Sequence, residues 1–214
     1  SIKKSFDVAL HLGTLVAVVG YFRRDVTTYV VEGTKLVVAR RTPASAEGKL
    51  AWLFVLATMP AAAVGALFES QIDNRLGTPA LIGCSLIVFG VLIAIADRSL
   101  GRRKVDNFGA RDALVVGAAQ ALALNPGTSR SGITMTAGRF LGFERDAAVR
   151  ISFVMSIPVI LGAVVFKFAG LISDGIPEGL LVPMMVGIIT SGLSGWLAVW
   201  GTIRIVRTRS FMPF

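Results

Sequence analysis

The sequence has very little of what soluble proteins use for cross-linking and metal binding. It contains one cysteine, Cys84, and one histidine, His11, so a disulfide framework and a Cys/His metal cluster are both excluded. Only 16% of the 214 residues are charged, against about 25% in an ordinary soluble domain. Acidic residues are also scarce, because 13 Asp and Glu face 22 Lys and Arg, which leaves a net charge of +9.

The sequence is rich in apolar residues. They make up 54% of the chain, and the mean hydropathy is +0.71. This apolar content argues against a soluble nucleic-acid binder, so we expect no nucleic-acid partner. The high positive charge argues against a single apolar core. A polytopic membrane protein whose basic residues lie in its loops accounts for both properties.

Five apolar runs are long enough to cross a bilayer as helices, which takes roughly 20 residues for a hydrocarbon core about 30 Å thick. These runs are residues 6–22, 50–68, 79–96, 149–166 and 180–200. Barrel strands are shorter, about 9–11 residues, so we predict an all-α protein with a single transmembrane domain over residues 1–214. Residues 26–39 carry Glu32 and Lys35 and are predicted to form a short interfacial helix.

Residues 113–143 form an apolar segment that is interrupted in its middle. The segment is apolar from Ala113 to Leu124, breaks at Asn125-Pro126-Gly127, and resumes after a polar stretch as far as Phe143. Each half is too short to cross the membrane. Two half-helices joined by a polar break are typical of a re-entrant hairpin or a discontinuous helix.

The distribution of basic residues favours the re-entrant hairpin. The linkers 23–49 and 97–112 hold six and five Lys or Arg, and the excess of basic residues in cytoplasmic loops places both linkers inside. Sixteen of the 22 basic residues lie inside only if segment 113–143 returns to the side it left. Three spans then precede the hairpin and two follow it. We expect inverted repeats, with a further hairpin before Ser1 and a further span after Phe214.

The polar break within this segment is the richest chemical signal in the sequence. Pro126 and Gly127 are expected to end the incoming half-helix, and Thr128 or Ser129 can cap the outgoing one. The first N–H groups of a helix have no intrahelical partner, and the positive end of the helix dipole lies behind them. Such a helix start is suited to binding an anion.

Arg130 adds a planar guanidinium that matches phosphate oxygens. An arginine within the membrane costs at least about 2.5–3.5 kcal/mol, so it needs a partner, and a bound phosphate would be one. The alternative is a Ser/Gly-rich turn whose arginine extends to the inner surface. Gln120, on the incoming half-helix, can bond the loop, the substrate or a neighbouring helix. Further hydroxyl groups come from Ser129, Ser131 and Thr134.

Residues 120–134, QALALNPGTSRSGIT, resemble the Pro-Gly-x-Ser-Arg-Ser-x-x-Thr motif of the bacterial undecaprenyl-diphosphate phosphatase family, the bacitracin-resistance proteins. Residues 6–14 and 210–214 are also similar to this family, and the similarity extends over most of the chain. The resemblance implies a multi-pass enzyme of the bacterial plasma membrane. Such an enzyme hydrolyses undecaprenyl diphosphate to undecaprenyl phosphate and phosphate, which recycles the lipid carrier for peptidoglycan synthesis and supports cell shape and bacitracin resistance.

The resemblance also implies roles for single residues. Ser129, Arg130, Ser131 and Thr134 match the second functional motif of the family and are expected to be catalytic. Substrate binding is expected from Gly127, Thr128 and Gln120. The family uses a divalent cation, Mg or Ca, and its first motif contains a glutamate pair, a Ser-rich turn and a histidine. That motif has no counterpart in these 214 residues and is expected upstream of Ser1. We therefore expect no metal ligands in this chain, and no activity from this piece alone.

Other functions remain open at this point. Broken helices in inverted repeats are also typical of transporters, so the main alternative is a transporter or flippase for a polyprenyl phosphate or another anionic substrate. A third possibility is a small channel or a structural subunit, but the arginine in the polar break argues against it. The expected partners are a polyprenyl diphosphate lipid and membrane lipids, and a homodimer remains open.

Overall fold

The structure, a computed structural model, describes residues 2–38, 45–75, 78–174 and 179–214. Within these ranges it contains eight α-helices, a short 3₁₀ helix at Val105–Asn107 and no β-strand, so the all-α prediction is confirmed. The helices are α1 (Ile2–Tyr21), α2 (Arg23–Val38), α3 (Ala46–Arg75), α4 (Pro79–Asp97), α5 (Ala110–Leu122), α6 (Arg130–Phe140), α7 (Arg145–Asp174) and α8 (Leu181–Thr208).

Four of the described helices are long and apolar enough to cross a membrane, which makes the chain a polytopic membrane protein. The qualifying segments are Ala46–Leu67, Pro79–Asp97, Arg145–Val165 and Leu181–Thr208. A fifth span is reached if α1 and α2 count together, since the pair passes the same test but bends by 88° between Phe6–Tyr21 and Arg23–Val38.

The predicted span 6–22 therefore lies in α1, and the predicted interfacial helix 26–39 lies largely in α2, which the bend turns away from α1. Residue 39 and the linker residues 40–44 lie outside the described residues.

Half-helices α5 and α6 form a hairpin whose two ends meet. The backbone N–H of Arg103, before α5, donates to the carbonyl of Gly142, after α6, at 3.0 Å, and the N–H of Glu144 donates back to the Arg103 carbonyl at 2.8 Å. The Arg103 guanidinium bonds both carboxylate oxygens of Asp112 at 3.0 and 2.6 Å and lies over the Phe143 ring at 4.2 Å. The chain thus enters and leaves the hairpin at the same level.

The hairpin packs between spanning helices. On one side α5 lies directly against α3, because Gly117 places its backbone against the Ala57 carbonyl, where any side chain would overlap. On the other side α6 contacts α4 and α7. Aromatic rings near the open end of the hairpin join these elements, with Phe108 lying 5.4 Å from Phe54 and 6.0 Å from Phe143 between ring centroids. Spanning helices therefore enclose the hairpin on both sides.

Candidate functional site

The turn between the two half-helices begins earlier than the sequence predicts. Pro126 and Gly127 are expected to end the incoming helix, but α5 ends at Leu122. The N–H groups of the next three residues bond carbonyls three positions back, from Ala123 to Gln120 at 3.0 Å through Asn125 to Leu122 at 3.1 Å. This tighter pattern is common at helix ends and leads the chain into the proline.

The tip of the hairpin packs against α4. Gly127 has a φ of +89°, and a Cβ there would lie 2.6 Å from the carbonyl oxygen of Ile82. The side-chain amide of Asn125 donates to the Ser85 hydroxyl at 2.8 Å. Ile82 and Ser85 precede Asp97, the end of α4 beside the hairpin base, by 15 and 12 residues. At 1.5 Å per residue the tip lies about 18–23 Å from that end, well inside the membrane domain.

Ser129 caps the outgoing helix. Its hydroxyl accepts a hydrogen bond from the N–H of Gly132 at 3.2 Å, and its carbonyl accepts from Ile133 at 2.9 Å. The sequence leaves Thr128 and Ser129 as possible N-caps, and in the structure the N-cap is Ser129. The N–H groups of Arg130 and Ser131 precede the first intrahelical hydrogen bonds, which leaves them available to a ligand.

Arg130 is the first residue of α6, and its side chain is half-buried. In the part of the chain that the structure describes, no carboxylate or carbonyl bonds its guanidinium. The hydroxyls of Ser129 and Ser131 lie beside this helix start, 3.4 Å from each other. The site therefore presents a positive charge, two hydroxyls and unused N–H groups, a combination suited to the oxygens of a phosphate group.

Thr134 and Thr128 are buried, unlike the two serines. Thr134 is 1% exposed, and its hydroxyl donates to the Arg130 carbonyl at 2.9 Å and lies 2.7 Å from the hydroxyl of Ser152 on α7. The Thr128 hydroxyl accepts from the Asn125 amide at 3.4 Å. The Thr134 hydroxyl thus bonds the backbone of α6, and the Thr128 hydroxyl bonds a side chain of the turn, while their predicted catalytic and substrate-binding roles stay predictions.

Gln120 lies on α5, and among the described residues it makes no hydrogen bond to the hydroxyls at the start of α6. It is 2% exposed, and within the described residues neither its side-chain oxygen nor its nitrogen has a hydrogen-bond partner. The hydrogen bond to the loop or to a neighbouring helix that the sequence suggests is thus not seen there. Its predicted role in substrate binding stays a prediction.

Sequence reasoning missed two sets of residues. Ser152 is the first, and its only sequence signal is a pair of serines one turn apart, Ser152 and Ser156, in an apolar span. The second is the base of the hairpin, where the Asp97 carboxylate accepts from Arg145 Nε at 2.6 Å and from the Phe211 N–H at 3.0 Å. These contacts join residues far apart in sequence, which no local pattern indicates.

The residues that the structure describes do not group into a metal site. Among the described ranges, no three His, Cys, Asp or Glu side chains lie close enough together to hold a metal ion. The single histidine, His11, is exposed on α1, with its Nδ1 2.7 Å from the Asp7 carbonyl of the same helix. The donors at the hairpin tip are a guanidinium, hydroxyls and N–H groups, which suit an anion. They do not fit the divalent cation that the resemblance implies.

Comparison with known proteins decides the family. The family model described as bacitracin resistance protein BacA matches residues 1–214. The chain belongs to this family. The undecaprenyl-diphosphatase of Pelobacter propionicus is 45% identical to it over 212 residues, which cover 98% of this chain and 77% of that protein. The enzymes of the same name from Geobacter metallireducens and Geobacter sulfurreducens are each 42% identical and are covered to 78%. The family predicted from the residues around Arg130 is confirmed.

Proposed function

We propose that this member of the BacA family hydrolyses undecaprenyl diphosphate to undecaprenyl phosphate and phosphate, in the bacterial plasma membrane, with the diphosphate bound at the tip of the α5–α6 hairpin. The observation that carries the proposal is the guanidinium of Arg130, which has no carboxylate or carbonyl partner among the described residues and lies at the start of a helix deep in the membrane domain. Relatives that carry the name undecaprenyl-diphosphatase support the reaction, and nothing favours the transporter alternative.

The chemistry that these residues supply is positioning and charge stabilisation. Arg130 and the N–H groups of the first turn of α6 bind the oxygens of the transferring phosphoryl group, where negative charge is spread in the transition state. Ser129 and Ser131 position the same oxygens through their hydroxyls. Hydrolysis consumes one water, breaks the bridging P–O bond, and leaves one phosphate on the lipid. The lipid monophosphate stays in the bilayer, and inorganic phosphate leaves.

We also propose that the reaction depends on a divalent cation, Mg or Ca, as the family resemblance implies. The described residues of this chain do not group into a site for such an ion. Treatment of the purified protein with a chelator, followed by Mg or Ca, tests the proposal. Lost and then restored phosphate release supports it, and release that the chelator leaves unchanged contradicts it.

The role of Arg130 is tested with two substitutions and one matched control. Arg130→Ala in the intact gene product, purified in detergent, should lower kcat/KM for phosphate release by about 10²–10³-fold, the usual cost of removing one such donor. Arg130→Lys should recover only part of the loss, because an ammonium cannot bond two oxygens in one plane. Arg111→Ala removes an exposed arginine from the other half-helix and should change the rate less than about twofold.

Near-full phosphate release from Arg130→Ala would contradict the assignment of the site. A wild-type protein that releases no phosphate but moves the lipid between the two leaflets of a vesicle would instead establish the flippase alternative.

A further inference from the structure

Ser152 is a buried hydroxyl that faces the candidate site from a different helix. It lies in the third turn of α7, and it is 3% exposed. Its neighbours Val149, Ile151 and Met155 are at most 1% exposed, so this part of α7 is fixed in the core. The Ser152 hydroxyl reaches across to α6, where it lies 2.7 Å from the Thr134 hydroxyl and 3.4 Å from the Ser131 carbonyl.

Either hydroxyl can donate in the 2.7 Å contact, because each has one proton and a carbonyl acceptor on α6. Thr134 has one hydroxyl proton, and the nearer of its two carbonyl acceptors is that of Arg130 at 2.9 Å, with Ser131 at 3.1 Å. When that proton is donated to a carbonyl, the proton in the 2.7 Å contact comes from Ser152. The chain of donors then runs from Ser152 through Thr134 to the peptide of Arg130.

We propose that Ser152 is a positioning residue for the reaction at the hairpin tip. This inference rests on the proposed function. Through Thr134, Ser152 ties the first turn of α6 to the core of α7, and this turn carries the Arg130 guanidinium and the unused N–H groups. Such a network is strong in a buried environment of low dielectric, where successive hydrogen bonds polarise one another.

Positioning matters because donors aimed at a transition state act only when they are held in place. A displacement of about 1 Å can cost about 10²-fold in rate. Removal of the Ser152 hydroxyl leaves Thr134 with its bonds to α6 alone, so among the described residues the first turn of α6 loses its side-chain hydrogen bonds to α7 and keeps only packing contacts. Groups that stabilise charge in the transition state affect kcat more than substrate binding.

Ser156 provides a matched control. It lies one turn further along α7 and is 4% exposed, but its hydroxyl donates to the Phe153 carbonyl of the same helix at 2.6 Å. Ser152→Ala and Ser156→Ala therefore remove the same atom from the same helix at the same burial. Only the first change removes a contact with α6.

The kinetic experiment measures phosphate release from undecaprenyl diphosphate by the wild-type gene product and by both alanine variants. We expect Ser152→Ala to lower kcat by about 10-fold with KM changed less than about twofold, and Ser156→Ala to change both less than about twofold. Ser152→Thr, which keeps a hydroxyl, should recover most of the rate. Thr134→Val should lower kcat similarly, and addition of Ser152→Ala to it should cost little more, because the two hydroxyls act in one network.

A second measurement does not depend on catalysis. Hydrogen exchange of the amides in residues 130–136 should be about 10-fold faster in Ser152→Ala than in wild type, and unchanged in Ser156→Ala. Equal effects of the two serine variants on both kcat and exchange would overturn the inference. If wild type releases no phosphate, the proposed function fails, while the exchange comparison still decides whether Ser152 fixes the first turn of α6.

Discussion

Gly127→Ala tests whether the hairpin tip is held against α4 as the structure has it. Two penalties contribute at this position. A φ of +89° costs an L-residue about 1–2 kcal/mol, since its Cβ crowds the following carbonyl. The added Cβ would also lie 2.6, 2.9 and 3.1 Å from the oxygen, Cα and carbonyl carbon of Ile82, all of them rigid backbone atoms.

The second penalty is the informative one. Carbon atoms pack at about 3.5 Å or more, so the tip must retreat by somewhat under about 1 Å. Overpacking of this kind costs about 1–3 kcal/mol, so we expect Gly127→Ala to lower the free energy of unfolding by about 2–5 kcal/mol in total. The same retreat moves Arg130, three residues on, and phosphate release should fall by up to about 10²-fold.

Two other glycines have a positive φ without a close backbone neighbour, so alanine there measures the conformational penalty alone. Gly142 and Gly179 have φ values of +83° and +77°, but a Cβ at Gly142 would only reach the Arg103 side chain at 3.7 Å, and one at Gly179 has nothing within 4 Å. Alanine at either position should cost only about 1–2 kcal/mol. The assay is unfolding by SDS titration in mixed micelles, followed by circular dichroism. If Gly127→Ala is no more destabilising than Gly142→Ala, the tip does not pack on α4 and the reasoning is refuted.

Two further predictions concern polar groups elsewhere in the hairpin. Gln120→Leu should raise the free energy of unfolding by about 1–3 kcal/mol in the same titration, because it replaces a buried amide that has no partner among the described residues. A lower free energy of unfolding would instead show that the amide is bonded in the folded protein. Arg103→Met should lower the free energy of unfolding by about 1.5–3 kcal/mol, because Asp112, which is 5% exposed, loses the guanidinium that bonds both of its carboxylate oxygens. The double variant Arg103→Met/Asp112→Asn should restore part of this loss. A wild-type free energy of unfolding for Arg103→Met would contradict the role of the pair.

The membrane helices could be read from the sequence because hydropathy is a local property. A run such as residues 79–96 contains no charge and is too long for a barrel strand, so the sequence is enough to predict α4 as a helix that satisfies its own backbone in lipid. The ends of helices are harder to predict from the sequence. The end of α5 at Leu122 depends on hydrogen bonds that a proline four residues later does not dictate.

The candidate site divides in the same way. Arg130 and the cap at Ser129 follow from local rules for helix starts, which the sequence contains in full. Ser152 and Ser85 could not be found, since each meets the hairpin over a separation of 18 to 40 residues along the chain. The spacing from Ser131 places Thr134 on α6, but the sequence does not show that its side chain faces α7.

By itself the sequence determined that the chain is an all-α membrane protein with a broken segment, and its motif around Arg130 determined the family. The first follows from composition, charge and local helix chemistry, which act over a few residues, and the second from the resemblance of residues 120–134 to the family's motif. Only the tertiary structure decided which side chains stand free and which are held. Ser129 and Arg130 stay open to a ligand, whereas Thr134 is tied to Ser152, because the packing of α6 against α4 and α7 selects which face of the half-helix is covered.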